Sequence, residues 1–213
     1  MNAIVLPIGH YHGAAHPGGG LPASYHLVRM GWEPVPLDDE GALDVWGFAH
    51  GLPAELERTG VWGRAEVLTA AGEAGIEEAE QVLDGLLDRG LVVELEPGTD
   101  EARDFARYHR VRPLLLGLGR PPGETLDGLG VPGLTTALRA APRVIEIWEW
   151  AHLWPDLWSA CEGLAEAARD TGSTEKSETD PGEVLVFALG ALQTLVAHGA
   201  AYLDHRPSRG PWG

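Results

Sequence analysis

The chain is nearly devoid of cysteine and of lysine. Cys161 is its one thiol and Lys176 its one primary-amine side chain in 213 residues. A lone cysteine rules out an internal disulfide framework, so packing must hold the fold, and the composition fits a reducing compartment, the cytoplasm. Positive charge is scarce as a whole. Lys and Arg number 15 against 32 Asp and Glu, a formal charge of −17. Such a surface repels a nucleic-acid backbone unless its few cations are gathered in one place. No charged-then-apolar leader opens the chain, because the apolar run in "MNAIVLPIGHYH" is too short. Several catalytic signatures are missing as well: there is no GxSxG, no Walker loop and no HExxH. "GLGRPPG", residues 117–123, is glycine-rich but lacks the GxGxxG spacing, and Pro121 and Pro122 have no amide to offer a phosphate.

One long stretch carries no formal charge, "VLVFALGALQTLVAHGAAYL" at residues 184–203. It is about the length of a bilayer span. Its alanines, glycines, Gln193, Thr194 and His198, with no flanking basic cluster or interfacial tryptophan, argue against a membrane. A buried helix over 184–204, in the core or between the copies of a homodimer, is expected instead.

What remains is the composition of a folded domain or two, with 44% hydrophobic residues. "AIVLPI" reads as a strand, and the Gly/Pro-rich segment to Pro22 as a loop. Residues 24–37 alternate around Gly31, which predicts a hairpin whose second arm, holding Pro34 and Pro36, is an edge strand. Asp38 or Asp39 can cap a helix burying Leu43, Val45, Trp46 and Ala49. A short helix follows from about Arg64. "IEEAEQVLDGLLDRG" then carries Ala79, Val82, Leu83, Leu86 and Leu87 on one stripe, stops at Gly90 and leads into the strand 91–95. The order helix, helix, amphipathic helix and strand predicts a winged helix over residues 1–112. Residues 113–133, rich in Gly and Pro, read as a linker, and residues 134–205 as an all-α domain with helices near 134–140, 142–153, 156–170 and 184–204. The fold class expected is α+β, mainly helical. "TGSTEKSETDPG", residues 171–182, reads as a loop.

"HLVRMGWEPVPLDDEGALDVWGFAHG", "AEVLTAAGEAG" and "IEEAEQVLDGLLDRGLVVEL", taken together, resemble the PqqD-like peptide-recognition domains of ribosomal-peptide natural-product pathways. The resemblance covers residues 25–95, about a third of the chain, and lies in element order and apolar positions. It implies a peptide laid as an added strand on the hairpin edge, beside the third helix. Placed on this sequence, the edge is His26, Leu27, Val28 and Arg29, or residues 33–35, and the facing helix offers Glu80, Asp84 and Leu87. Pro34 and Pro36 depart from what such an edge needs, and residues 99–213 are an extension the family lacks.

Three other constellations carry chemistry. His10, His12 and His16 have the spacing HxHxxxH, but no acid lies between Met1 and Gly31 to complete a metal site, so a packed or solvated loop is expected and no cofactor is assigned. A helix is expected from about Thr99 to Arg110; Arg103, Arg107 and Arg110 fall on one face of it, with Arg112 just beyond, and either seat an anion or pair internally with carboxylates. Trp148, Trp150, Trp154 and Trp158 lie among Glu146, Glu149 and His152, and either line a pocket for a cationic or planar ligand or form a helical core, the commoner outcome. DNA contact through helix 76–89 is not expected, since five acids there face Arg89 alone. Cys161 lies in an apolar helix and reads as packed. The function expected is therefore a non-catalytic peptide- or protein-binding module. The alternatives are a winged-helix transcriptional regulator using the arginines 103–120 and a small metal-dependent enzyme using the N-terminal histidines.

Overall fold

A computed structural model describes residues 2–15, 25–37 and 40–206. The chain divides into two compact units. The first holds residues 2–95 together with residues from Leu203 onward, and the second holds Glu96–Tyr202.

The first unit opens with β1 (Ile4–Pro7), every residue of which is buried. A meander follows, β2 (His10–Ala15), β3 (Tyr25–Met30) and β4 (Glu33–Leu37), with β3 in the centre. Gly31 takes φ +59° at the first position of the two-residue turn joining β3 to β4, as a II′ hairpin turn requires. Four helices come next: α1 (Glu40–Phe48), α2 (Pro53–Thr59), α3 (Arg64–Glu73) and α4 (Ala79–Asp88). Proline at the first turn starts α2, a helix hidden in the sequence by its polar composition. Then β5 (Val92–Leu95) returns antiparallel to β1, with Ile4 opposite Leu95 and Pro7 opposite Val92.

Trp46 locks these layers together. Its ring is buried, and its indole N–H lies 3.1 Å from the Leu91 carbonyl and 3.4 Å from that of Ile8. Leu83 and Leu86 of α4 are buried, as are Val28, Leu37, Val45 and Val67. Gly9, at φ +96°, allows the sheet to approach, because a Cβ there would sit 2.6 Å from Val28 Cγ1 and 2.8 Å from the Arg29 carbonyl. The end of the chain completes the unit. The Gly9 amide donates to the Leu203 carbonyl, and the fully buried Asp204 accepts from the Gly31 amide at 2.6 Å and pairs with Arg29 at 3.4 Å.

The second unit starts with α5 (Asp100–Tyr108), capped by the Thr99 hydroxyl, which accepts from the Ala102 amide. Next come β6 (His109–Pro113) and a second meander, β7 (Leu116–Gly119), β8 (Asp127–Val131) and β9 (Thr135–Ala140). The remaining helices are α6 (Pro142–Trp150), a 3₁₀ turn at Ala151–Leu153, α7 (Leu157–Asp170), α8 (Lys176–Thr179) and α9 (Pro181–Ala197). The chain leaves on β10 (Ala201–His205), the partner of β6. The centre of this unit is α9, packed by α5, α6 and α7. Nine of the 17 residues of α9 are buried and Gly190 is its one exposed residue, so most of the helix is core, with Val186 and Phe187 half-buried.

The expected fold class is corrected at two points. The protein is a mixed α+β fold with about 26% of its residues in four small antiparallel sheets, and its C-terminal unit is not all-α. Nor does a wing follow α4, since β5 pairs with β1 and the chain turns directly into α5. Residues 113–133, expected as a linker, are strands and turns: Gly119, Gly123 and Gly133 take positive φ, and Gly130 permits close approach. A Cβ on Gly130 would lie 2.1 Å from the Thr135 carbonyl, at a bulge in the β8–β9 ladder. Residues 135–140, expected as a helix, alternate instead, with Leu138 and Ala140 buried and Ala137 and Arg139 exposed. Residues 171–182, expected as a loop, contain α8. The proposed cap residues Asp38 and Asp39 lie outside the described residues.

In the first unit, Asp204→Ala should cost about 3 kcal/mol in urea unfolding, because it strips a buried, charge-assisted partner from Gly31 and Arg29. A loss near zero would show that β10 is not held by this carboxylate. His50 should make stability pH-dependent. Its ring is half-buried edge-on against Trp46, and burial lowers its pKa, with hydrogen bonding to the Trp46 and Gly47 main chain opposing. The neutral form is therefore favoured in the fold. Its contribution is complete above the unfolded value near 6.5 and is lost as the pH falls from there towards the folded value. His50→Leu should flatten that part of the stability–pH curve, and an unchanged slope would assign it to other groups.

Candidate functional site

The residues expected on the hairpin edge are not on an edge. His26, Leu27, Val28 and Arg29 belong to β3, which is paired with β2 on one side and β4 on the other, so no strand can be added to them. The alternative edge, β4, is closed chemically. Met30 and Glu33 flank a two-residue turn and form a hydrogen-bonded pair, so Val28–Val35 and His26–Leu37 are the next such pairs along the ladder. Pro34 and Pro36 then hold the positions whose nitrogens face outward. The free edge has no N–H to give there, and Arg89 already donates to the Pro36 carbonyl. On the helix, Glu80 and Asp84 are drawn to Arg64, at 3.5 and 2.6 Å, while Leu87 is half-buried.

The histidines do not converge. A bulge between Tyr11 and Gly13 breaks the alternation that would align His10 with His12, and their ring centroids lie 6.0 Å apart, edge to face. Burial, then the nearby Arg29, lowers the His10 pKa. His16 lies outside the described residues. Among the described residues no group of three His, Cys, Asp or Glu could hold a metal.

The arginines are divided by a change of element. Arg103 and Arg107 lie on α5, paired with Asp100 at 2.9 Å and Asp104 at 3.0 Å, and both guanidinium groups lie over the Trp158 ring. Arg110 and Arg112 follow on β6, because the helix stops at Tyr108, so the four do not share a helical face. Internal pairing accounts for the first two.

The tryptophans correct the expectation of a core, for none of the four is buried. Trp148 donates to the Ala200 carbonyl at 3.2 Å. Trp154 lies across Gly163, where a Cβ would come within 2.2 Å of the ring. His152, on the 3₁₀ turn, has its Nδ1 buried without a hydrogen-bond partner among the described residues. Trp150 is 46% exposed and opens onto a cleft.

That cleft, of about 620 Å³, lies within the second unit. One wall is α6, contributing Pro142, Arg143, Ile145, Glu146, Glu149 and Trp150. A face of α7 contributes Leu164, Ala167 and Ala168, and the two alanines leave space between the helices. Val184 and Phe187 of α9 complete the apolar lining, and Asp127, Thr171 and Glu178 complete the polar one. Two of its acids are already committed, Asp127 to Arg120 at 2.5 Å and Glu178 to the Ser173 hydroxyl at 2.6 Å. Glu146 and Glu149 have no hydrogen-bond or ion-pair partner among the described residues. Arg143 lies over the Phe187 ring, 4.1 Å from its centroid, and donates to the Ser177 carbonyl.

The arrangement can hold a cation against an aromatic wall by charge and by ring quadrupole. The sequence marked Glu146, Glu149 and Trp150 as a group. It held no sign of Arg143, Phe187 or the α7 face, which only the packing of three helices brings to them. Among the described residues no helix is long and apolar enough to cross a membrane. No protein-family model, curated protein or solved structure matches the chain.

Cys161 stands apart from this chemistry. It is fully buried on α7, and burial, with Glu162 and Asp156 nearby, pushes its thiol up to about 12. The native chain should therefore be inert to a disulfide reagent at about pH 8 and react only once unfolded. Rapid reaction of the folded chain would contradict that environment.

Proposed function

We propose that the chain is a binding module that takes a positively charged peptide into the cleft of residues 96–202. That the ligand is a peptide follows the resemblance of residues 25–95; its positive charge and its seat are read from the cleft, because the hairpin edges are occupied or blocked. One observation carries the reading: an aromatic and aliphatic cleft exposes two carboxylates, Glu146 and Glu149, that no described group of the protein neutralises. Carboxylates left without partners beside apolar surface favour an incoming ammonium or guanidinium over water alone. The formal charge of −17 adds long-range attraction for a cation and raises its encounter rate. The apolar lining gives the ligand's aliphatic body an area to bury.

Isothermal titration of the full chain with a C-terminally amidated Leu-Leu-Arg peptide tests the proposal, with amidated Leu-Leu-Glu as control. The basic peptide should bind and weaken as salt rises from about 50 mM to about 500 mM. Joint Glu146→Gln and Glu149→Gln substitution should raise its Kd about tenfold or more. Equal binding of both peptides, or of neither, would remove the proposal.

A further inference from the structure

The cleft is not uniformly acidic. Its wall changes sign along α6, from Arg143 at the first turn to Glu146 and Glu149 one and two turns on. The usual reason to find a guanidinium beside carboxylates is a salt bridge, and i,i+3 spacing permits one between Arg143 and Glu146. None is formed. Arg143 has no carboxylate within ion-pair distance among the described residues, and its guanidinium is held over Phe187 with one donor on the Ser177 carbonyl. A guanidinium has five N–H donors, so most of this one's remain uncommitted. It is also oriented by its ring and its carbonyl before any ligand arrives, which lowers the entropy lost on binding.

A second feature of the same wall favours an anion there. Helix α6 begins at Ala141 and Pro142, and Ala141 has no side chain to cap it. No acid stands in the first turn; Pro142 has no N–H, and the Val144 and Ile145 amides donate to the Ala141 carbonyl, which leaves the Arg143 amide beside its own guanidinium as the donor at this end of the cleft wall. The two acids that other elements bring to the cleft are engaged, Asp127 with Arg120 and Glu178 with the Ser173 hydroxyl. The cleft therefore offers a seat for an anion and a seat for a cation on one helix face, with Trp150 and Leu164 also lining it.

We infer that the cleft recognises a terminal basic residue, with a free carboxylate on the Arg143 guanidinium and a cationic side chain on Glu146 and Glu149. This rests on the cationic-ligand reading above and deepens it by adding the carboxylate. The shared chemistry is found in the C-terminal residue of a peptide and in a free basic amino acid, and the experiment separates the two.

The test is isothermal titration of the full chain with three probes: Leu-Leu-Arg with a free C-terminus, the same peptide as its amide, and free arginine. The free acid should bind about tenfold or more tightly than the amide. Arg143→Gln should bring the acid down to the level of the amide. Arg143→Lys, which keeps the charge, should retain part of the preference and shows that the position tolerates change. Free arginine binding as well as the tripeptide would identify the free amino acid as the ligand class, and much weaker binding would identify a peptide terminus. Equal affinity of acid and amide in the unaltered chain would overturn the inference while leaving the cationic cleft standing. Equal weakening of acid and amide by Arg143→Gln would overturn it in the same way. Absence of binding by all three would remove both readings.

Discussion

Asp204 is the carboxylate on which the first unit closes. It is fully buried, so its charge is tolerable only because partners surround it: the Gly31 and His205 amides and the Arg29 guanidinium. Those partners are the turn and the central strand of the β2–β4 meander. The same short segment satisfies the Gly9 amide through the Leu203 carbonyl. Ile8 and Gly9, just after β1, and the meander through Arg29 and Gly31 are thus tied to residues 203–204.

The meander of the first unit and the elements of the second put proline and glycine to opposite uses. Pro34 and Pro36 close an edge by withholding donors where a neighbour would seek them. Gly130 and Gly163 permit approach, one to a carbonyl across a bulge and the other to the Trp154 ring. The cleft in the second unit arises the same way. Alanines on α7 leave a space that larger residues would fill, while Val184 and Phe187 of α9 complete its apolar lining.

The first unit was largely legible in the sequence. Alternation around Gly31, the apolar stripe ending in Leu86 and Leu87, and the stop at Gly90 are local signals, and each describes an element that formed. The pairing of β5 with β1 was not legible, because nothing in "LVVEL" states whether its partner lies before or after it. The second meander was hidden for a different reason: the glycines of 117–133 carry the same letters whether they loosen a linker or tighten a bulge. "TTALRA" is too short for its period to separate a strand from a helix. Of the cleft, the sequence disclosed the residues on one helix, where spacing is informative, and none of those contributed by α7 and α9. The tryptophans were read as core because of their size, whereas each keeps an exposed part while another part packs or bonds.

The membership of residues 203–206 in the first unit makes the second unit an insertion between β5 and the last part of β10. During synthesis, the first unit therefore cannot complete itself when its own ninety-odd residues have emerged. It must wait, with the turn at Gly31 uncapped and the Gly9 amide without its acceptor, until the whole of Glu96–Tyr202 has followed. The inserted unit has all of its residues first. Its folding draws its two ends into place and shortens the loop that Asp204 has to close, so the domain begun later is the one positioned to finish earlier.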